Sequence, residues 1–208
     1  MEIFIGIDQS INSTGITIQK FENNQLVKEN FYIITGKVSK KALSISQSLN
    51  NFDYILYNKL EKSDSKNNNE FEFFKLMNIV SITDIILDLI DHSCESSLDK
   101  IYIAMEGISY SSSQTKSLID LSGLSYVLRY RINNFFKSHQ DQCGGLYIFT
   151  PGEIKKFATG NGNANKDMMV NLFKNLKNDL KVLPKIDDIA DSFWICAYIQ
   201  NIHTDILL

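Results

Sequence analysis

The chain has 208 residues, 44% of them hydrophobic and 22% charged, enough to bury one sizeable core as a single globular domain. No stretch approaches the roughly 20 apolar residues of a membrane span, and an acid at position 2 with no basic region around it excludes a secretory signal. Three cysteines, odd in number and without CxxC spacing, fit reduced thiols in an intracellular protein better than a disulfide frame or a zinc site. In chain order, Ile3–Ile7 is a short apolar, β-branched run that predicts a buried strand ending at Asp8. A polar turn over residues 9–13 leads to a second strand at Thr14–Ile18. Asn23-Asn24 marks a hairpin into a third strand near Leu26–Thr35, so the first three strands form an antiparallel meander. Residues 36–70 give the weakest pattern: Ala42–Leu60 reads as helical and Ser63–Asn69 as a polar loop. Apolar residues at helical spacing predict a helix over Glu70–His92, followed by a fourth strand at Ile101–Met105 that ends on Glu106. A long helix is expected at Thr115–Lys137, with Leu118, Leu121, Ser125, Leu128 and Ile132 on one face. Gly144-Gly145 leads into a fifth strand, Leu146–Phe149, and Pro151 suits the first turn of the next helix. A glycine-bearing loop at residues 159–163 precedes a helix reaching about Lys177, and a last helix spans Asp187–Ile202. The fold class is α/β: a five-stranded mixed sheet, three antiparallel strands then two parallel ones, flanked by helices.

A net charge of −3 hides an uneven distribution. Residues 111–185 carry eleven Lys/Arg against five Asp/Glu, whereas residues 186–208 carry four acids and no Lys or Arg. A basic surface beside gathered carboxylates suits a protein that grips phosphate, although a solvated surface of uneven charge fits the same count.

Four carboxylates stand out by position. Asp8 and Glu106 each end a strand and converge if those strands are neighbours. Asp188 and Asp191, three apart, share one face at the start of a helix. Asp187 and Asp188 are also well placed as first-turn acids favoured by the helix dipole, but that does not account for Asp191 inside an apolar segment. An all-oxygen set without His or Cys suits Mg²⁺ or Mn²⁺, and two such ions can activate water and stabilise a leaving oxygen. Lys155, Lys156 and Lys166 flank Gly160 and Gly162, whose lack of a side chain lets backbone approach a phosphate; a plain helix connection is the alternative.

These residues resemble a family. Gly6-Ile7-Asp8-Gln9-Ser10 with Ser13-Thr14-Gly15, Ala104-Met105-Glu106-Gly107, the Lys155–Lys166 segment and Asp188-Ile189-Ala190-Asp191-Ser192 resemble, in order, the motifs of RuvC-like nucleases, closest to the divergent phage and viral members. The resemblance covers roughly residues 1–35 and 70–202 and leaves 36–70 unaligned. It implies an RNase H-like fold and cleavage of four-way (Holliday) DNA junctions with two Mg²⁺ or Mn²⁺ ions held by Asp8, Glu106, Asp188 and Asp191. It also implies phosphate contacts from Lys155, Lys156 and Lys166, and a homodimer joined through the Thr115–Lys137 helix by residues such as Leu121, Leu128 and Ile132. Packing of that face on its own sheet is the alternative. Where bacterial members carry an aromatic wedge this chain has Ser109, with Tyr110 one residue later as the candidate for the branch point. A non-catalytic DNA-binding protein or an ATP-linked member of the wider actin-like superfamily is the competing reading. The chain is too short for the two halves an actin-like ATPase needs.

Overall fold

The computed structural model describes residues 1–108 and 115–204. Its centre is a six-stranded sheet made of β1 (Glu2–Asp8), β2 (Ser13–Glu22), β3 (Gln25–Thr35), β4 (Phe52–Leu56), β5 (Lys100–Glu106) and β6 (Cys143–Phe149), in the order β4-β3-β2-β1-β5-β6. β1, β2 and β3 form the expected antiparallel meander, and β5 and β6 continue it parallel to β1. The β2–β3 turn places Asn23 and Asn24 at φ 50° and 62°, the left-handed pair a tight hairpin needs. The expectation of five strands is corrected to six. The added strand is β4, parallel to β3, and it lies in the unaligned segment. Ala42–Leu60 is therefore not one helix. Helix α1 (Lys40–Ser46) stops early, and Phe52, Tyr54 and their neighbours extend the sheet edge instead, where their aromatic bulk packs against a pleated surface.

Helices cover both faces. On one side lie α2 (Asn68–Ser93) and α3 (Thr115–Ser138), packed on Ile3, Ile5 and Ile7. On the other lie α4 (Pro151–Thr159), α5 (Lys166–Leu176) and α6 (Ile186–Thr204), packed on Phe4, Phe31 and Ile33. This explains why β1 reads as a continuous apolar run: its alternate side chains enter two separate cores. α6 is apolar nearly all round because it lies buried against the sheet centre. The α3 stripe also meets its own sheet. Leu128 and Ile132, expected at a subunit interface, are fully buried in the core, and Leu121 is half-buried. The exposed apolar residues of α3 are Ile119, Tyr126 and Tyr130. No helix among the described residues is long and apolar enough to cross a membrane.

Candidate metal and phosphate site

Parallel pairing of β1 with β5 brings their C-terminal ends together. Asp8 and Glu106 lie one step beyond the Ile7–Met105 pair, side by side at the sheet edge. α6 crosses β1 and β2 there, at two glycines. A Cβ on Gly6 would stand 2.2 Å from the Ser192 carbonyl oxygen, and one on Gly15 would stand 2.1 Å from that of Asp188. Only glycine permits so close an approach, and it is this approach that carries Asp188 and Asp191 to the strand ends. Thr17 and Ser192 share a hydroxyl–hydroxyl hydrogen bond of 2.9 Å that fixes the crossing.

The charges respond to this crowding. Burial raises the Asp8 carboxyl well above the ordinary range, and Asp191, Glu106 and Asp188 raise it further. Glu106 is pushed up to about 7 by burial and by Asp191, against the pull of Lys155 and Lys166. Burial likewise raises Asp188 and Asp191. Like charges at close quarters cannot all ionise without a counter-charge. The cation in contact with this group is Lys166, the first residue of α5, whose Nζ lies 2.9 Å from Asp187 and 3.5 Å from Asp191. Its own pKa is raised: burial opposes this, but the hydrogen bond to Asp187 and the charges of Asp191, Asp187 and Asp8 prevail. For Asp187 burial is outweighed by the Lys166 hydrogen bond and charge, and its carboxyl is lowered.

Glu106, Asp191, Lys155 and Lys166 line a cleft of about 160 Å³ together with Pro151, Ile154, Met169 and Ile195, with Lys166 already paired to Asp191 within it. α4 is set beside this cleft by a capping box between Thr150 and Glu153 with Pro151 in its first turn, and it ends at Gly160 in the left-handed region at φ 76°. Asn165 caps α5 and so places Lys166 at its first turn. Lys156 is exposed and is not among the cleft's lining residues. Tyr110 lies outside the described residues.

Two neighbours carry roles that the sequence motif alone did not assign. Ser13 donates its hydroxyl to Asp188 Oδ2. Gln9 Nε2 donates to the Glu106 carbonyl at 3.0 Å and to Ser125 Oγ at 3.1 Å, tying β1, β5 and α3 at the cluster. Both lie within the first motif, but their partners are 97 to 175 residues away. Asp187 is a third: it is not simply a helix-end acid but the nearer partner of Lys166.

Among the described residues no three of His, Cys, Asp and Glu stand close enough, as the side chains lie, to grip a single ion. The donor chemistry nevertheless suits one. Four hard, anionic oxygen donors that repel one another are what Mg²⁺ or Mn²⁺ relieves, and His and Cys are missing from the cluster.

No family model matches the chain. A segment is 43% identical over 60 residues to the crossover junction endodeoxyribonuclease RuvC of Pseudothermotoga lettingae. The match spans 27% of this chain and only about a third, 36%, of that protein. The solved structure of Thermus thermophilus RuvC superimposes with a TM-score of 0.53 at 14% identity, covering 98% of this chain and 96% of that one. T. thermophilus RuvC in complex with Holliday junction substrate gives a TM-score of 0.52 at 14% identity, covering 97% of each chain. The fold is therefore RNase H-like and RuvC-like.

Proposed function

We propose that this RuvC-like chain is a divalent-metal-dependent endodeoxyribonuclease that hydrolyses phosphodiester bonds in four-way junctions and related branched DNA, working as one domain per subunit of a homodimer. One observation carries the reading. Four carboxylates from β1, β5 and α6 gather at one sheet edge, where burial raises all four and Asp191 raises both Asp8 and Glu106 further, with Lys155 and Lys166 in the adjoining cleft. Asp8, Glu106, Asp188 and Asp191 would hold Mg²⁺ or Mn²⁺, two ions per site, and when bound these supply Lewis-acid activation of water and stabilise charge on the leaving oxygen.

The chain's own residues do the rest. Ser13 orients Asp188, and Gln9 holds the end of β5 so that Glu106 stays beside Asp8. Lys155 and Lys166 offer positive charge where a phosphate would enter the cleft, contacts that position DNA without reading its sequence. Lys156, exposed on the same helix, adds to the field that draws DNA in. The choice of a junction follows from likeness to a protein called a crossover junction endodeoxyribonuclease and to one solved on a Holliday junction. A junction offers two equivalent strands, which a two-fold protein can meet with two matched sites. Ile119, Tyr126 and Tyr130 are the apolar surface α3 leaves for a partner.

Incubation with Mg²⁺ and matched four-way, flap and linear DNAs tests the proposal. The four-way junction should be cut in preference to linear duplex. Asp8→Asn should abolish cutting while binding is kept or strengthened, because one change removes both a ligand and a negative charge. Cleavage by that variant at the wild-type rate would show that the cluster is not the reaction site.

A further inference from the structure

The segment from Phe52 to Leu60 follows no motif and passes beside the carboxylate cluster. It is anchored at both ends. β4 pairs with β3, and at the other end the buried Asn78 of α2 clasps Leu60, its Oδ1 accepting from Leu60 N at 2.9 Å and its Nδ2 donating to Leu60 O at 2.8 Å. Between these anchors two largely buried tyrosines reach in opposite directions. Tyr57 donates its hydroxyl to the Ile11 carbonyl at 2.9 Å, in the turn that joins Asp8 to Ser13. Tyr54 donates to the Pro184 carbonyl at 3.1 Å, two residues before α6 begins and four before Asp188. Lys59 Nζ adds a bond to Asn12 Oδ1 at 2.8 Å, and Thr35 Oγ1 holds the Asn12 carbonyl at 3.0 Å.

These contacts converge on one relationship. The 9–13 turn delivers Ser13 to Asp188, and the chain before α6 delivers Asp188 to Ser13. Both are irregular backbone, held from outside by the same short segment. We propose that residues 52–60 form a brace for the carboxylate cluster, with Tyr54 and Tyr57 as positioning residues that hold the Asp8–Ser13 turn and the start of α6 in mutual register. The inference rests on the metal-site reading above. Loss of the two hydroxyls removes two bonds to carbonyls and leaves the aromatic packing in place, so the cluster loosens while the core does not.

Tyr54→Phe, Tyr57→Phe and the double variant separate this from a merely structural role. Mn²⁺ binding to the full chain without DNA, followed by the electron paramagnetic resonance of free Mn²⁺, is the primary readout. The double variant should bind Mn²⁺ roughly three- to tenfold more weakly, since neither hydroxyl touches a ligand and the net worth of a hydrogen bond sets that scale. The Mg²⁺ needed for half-maximal cleavage should rise by the same factor. Tyr147→Phe, which removes a phenol bonded to Gly144 on β6, is the control and should leave the isotherm unchanged. If the double variant folds poorly, Tyr57→Phe alone should show a smaller shift of the same sign. Superimposed isotherms for wild type and the variants, with wild type binding Mn²⁺, would overturn the brace alone. A wild-type protein that binds no Mn²⁺ would overturn the metal reading and the brace with it.

Discussion

Glu106 shows how the site trades against stability. Its carboxyl titrates at 4.5 in an ordinary setting and at about 7 in the fold, pushed up by burial and by Asp191. Between those values the native state holds a proton that the unfolded chain has released. The stability this group contributes is therefore complete below about pH 4.5 and is lost as pH rises through about 7. Burial raises Asp8, Asp188 and Asp191 as well, and they steepen the trend. In EDTA the unfolding temperature should fall between pH 5 and 7.5, and Glu106→Gln should flatten that fall and stabilise the protein at pH 7.5 by on the order of 1–3 kcal/mol. Equal slopes for the two proteins would place Glu106 outside the coupled set. Lys166 carries the complementary prediction. It holds Asp187 and Asp191, so Lys166→Ala should lower the stability of the metal-free protein at neutral pH. Single-turnover cleavage should drop by about 10²-fold while junction binding weakens only a few-fold, because a placed cation matters most where charge develops. Equal losses in binding and cleavage would reduce Lys166 to a general phosphate contact.

At the scale of elements, the site depends on how tightly α6 lies on β1 and β2. The two glycines beneath it are contact points as well as motif letters. Gly6→Ala would force its methyl against the Ser192 carbonyl and the Cys196 backbone nitrogen, which no rotamer change relieves because both are main chain. Overpacking of this kind should cost at least about 1–3 kcal/mol in urea unfolding. Cleavage should fall further than that loss implies, since Asp188 and Asp191 ride on the displaced helix. A Gly6→Ala protein of normal stability would mean that α6 sits farther from the strand than described. The same approach explains the length of the apolar run in α6: Phe193, Trp194, Ile195, Cys196 and Ala197 are all buried, leaving Asp187, Asp188 and Asp191 at the one end that reaches the cleft.

Across the whole molecule, the uneven charge of the sequence becomes a geometric contrast. The basic middle of the chain supplies Lys155 and Lys166 on α4 and α5, and the acidic C-terminal region supplies α6, so opposite charges meet in one cleft. Junction binding should therefore weaken steeply with salt even though the net charge is −3. The assembly prediction shifts with the structure. Leu128 and Ile132 are inside the protomer, so a two-fold contact through α3 would use Ile119, Tyr126 and Tyr130. Sedimentation with junction DNA bound should give a dimer, and Ile119→Glu should weaken it without lowering the unfolding temperature. A monomer on the junction at micromolar protein would refute the two-fold arrangement.

Sequence by itself determined the elements whose signals are local. Ile3–Ile7 ending at Asp8, Ile101–Met105 ending at Glu106 and the Asp188–Asp191 spacing each needed only strand or helix periodicity and a short motif, and each lies where that pattern put it. The fold class followed, because a meander and alternating helices and strands leave few ways to build a sheet. What only the tertiary structure decided was non-local. Phe52–Leu56 is too short and too mixed to declare itself a strand, and it becomes one because the edge of β3 is there to pair with it. Leu128 could face a partner or its own sheet with the same helical spacing; the open face of β1 and β5 decided it. Ser13 and Asp188 are 175 residues apart, and nothing along the chain couples them. Their contact exists because Gly6 and Gly15 let α6 settle onto the sheet, a matter of a few ångströms of packing that no run of residues encodes.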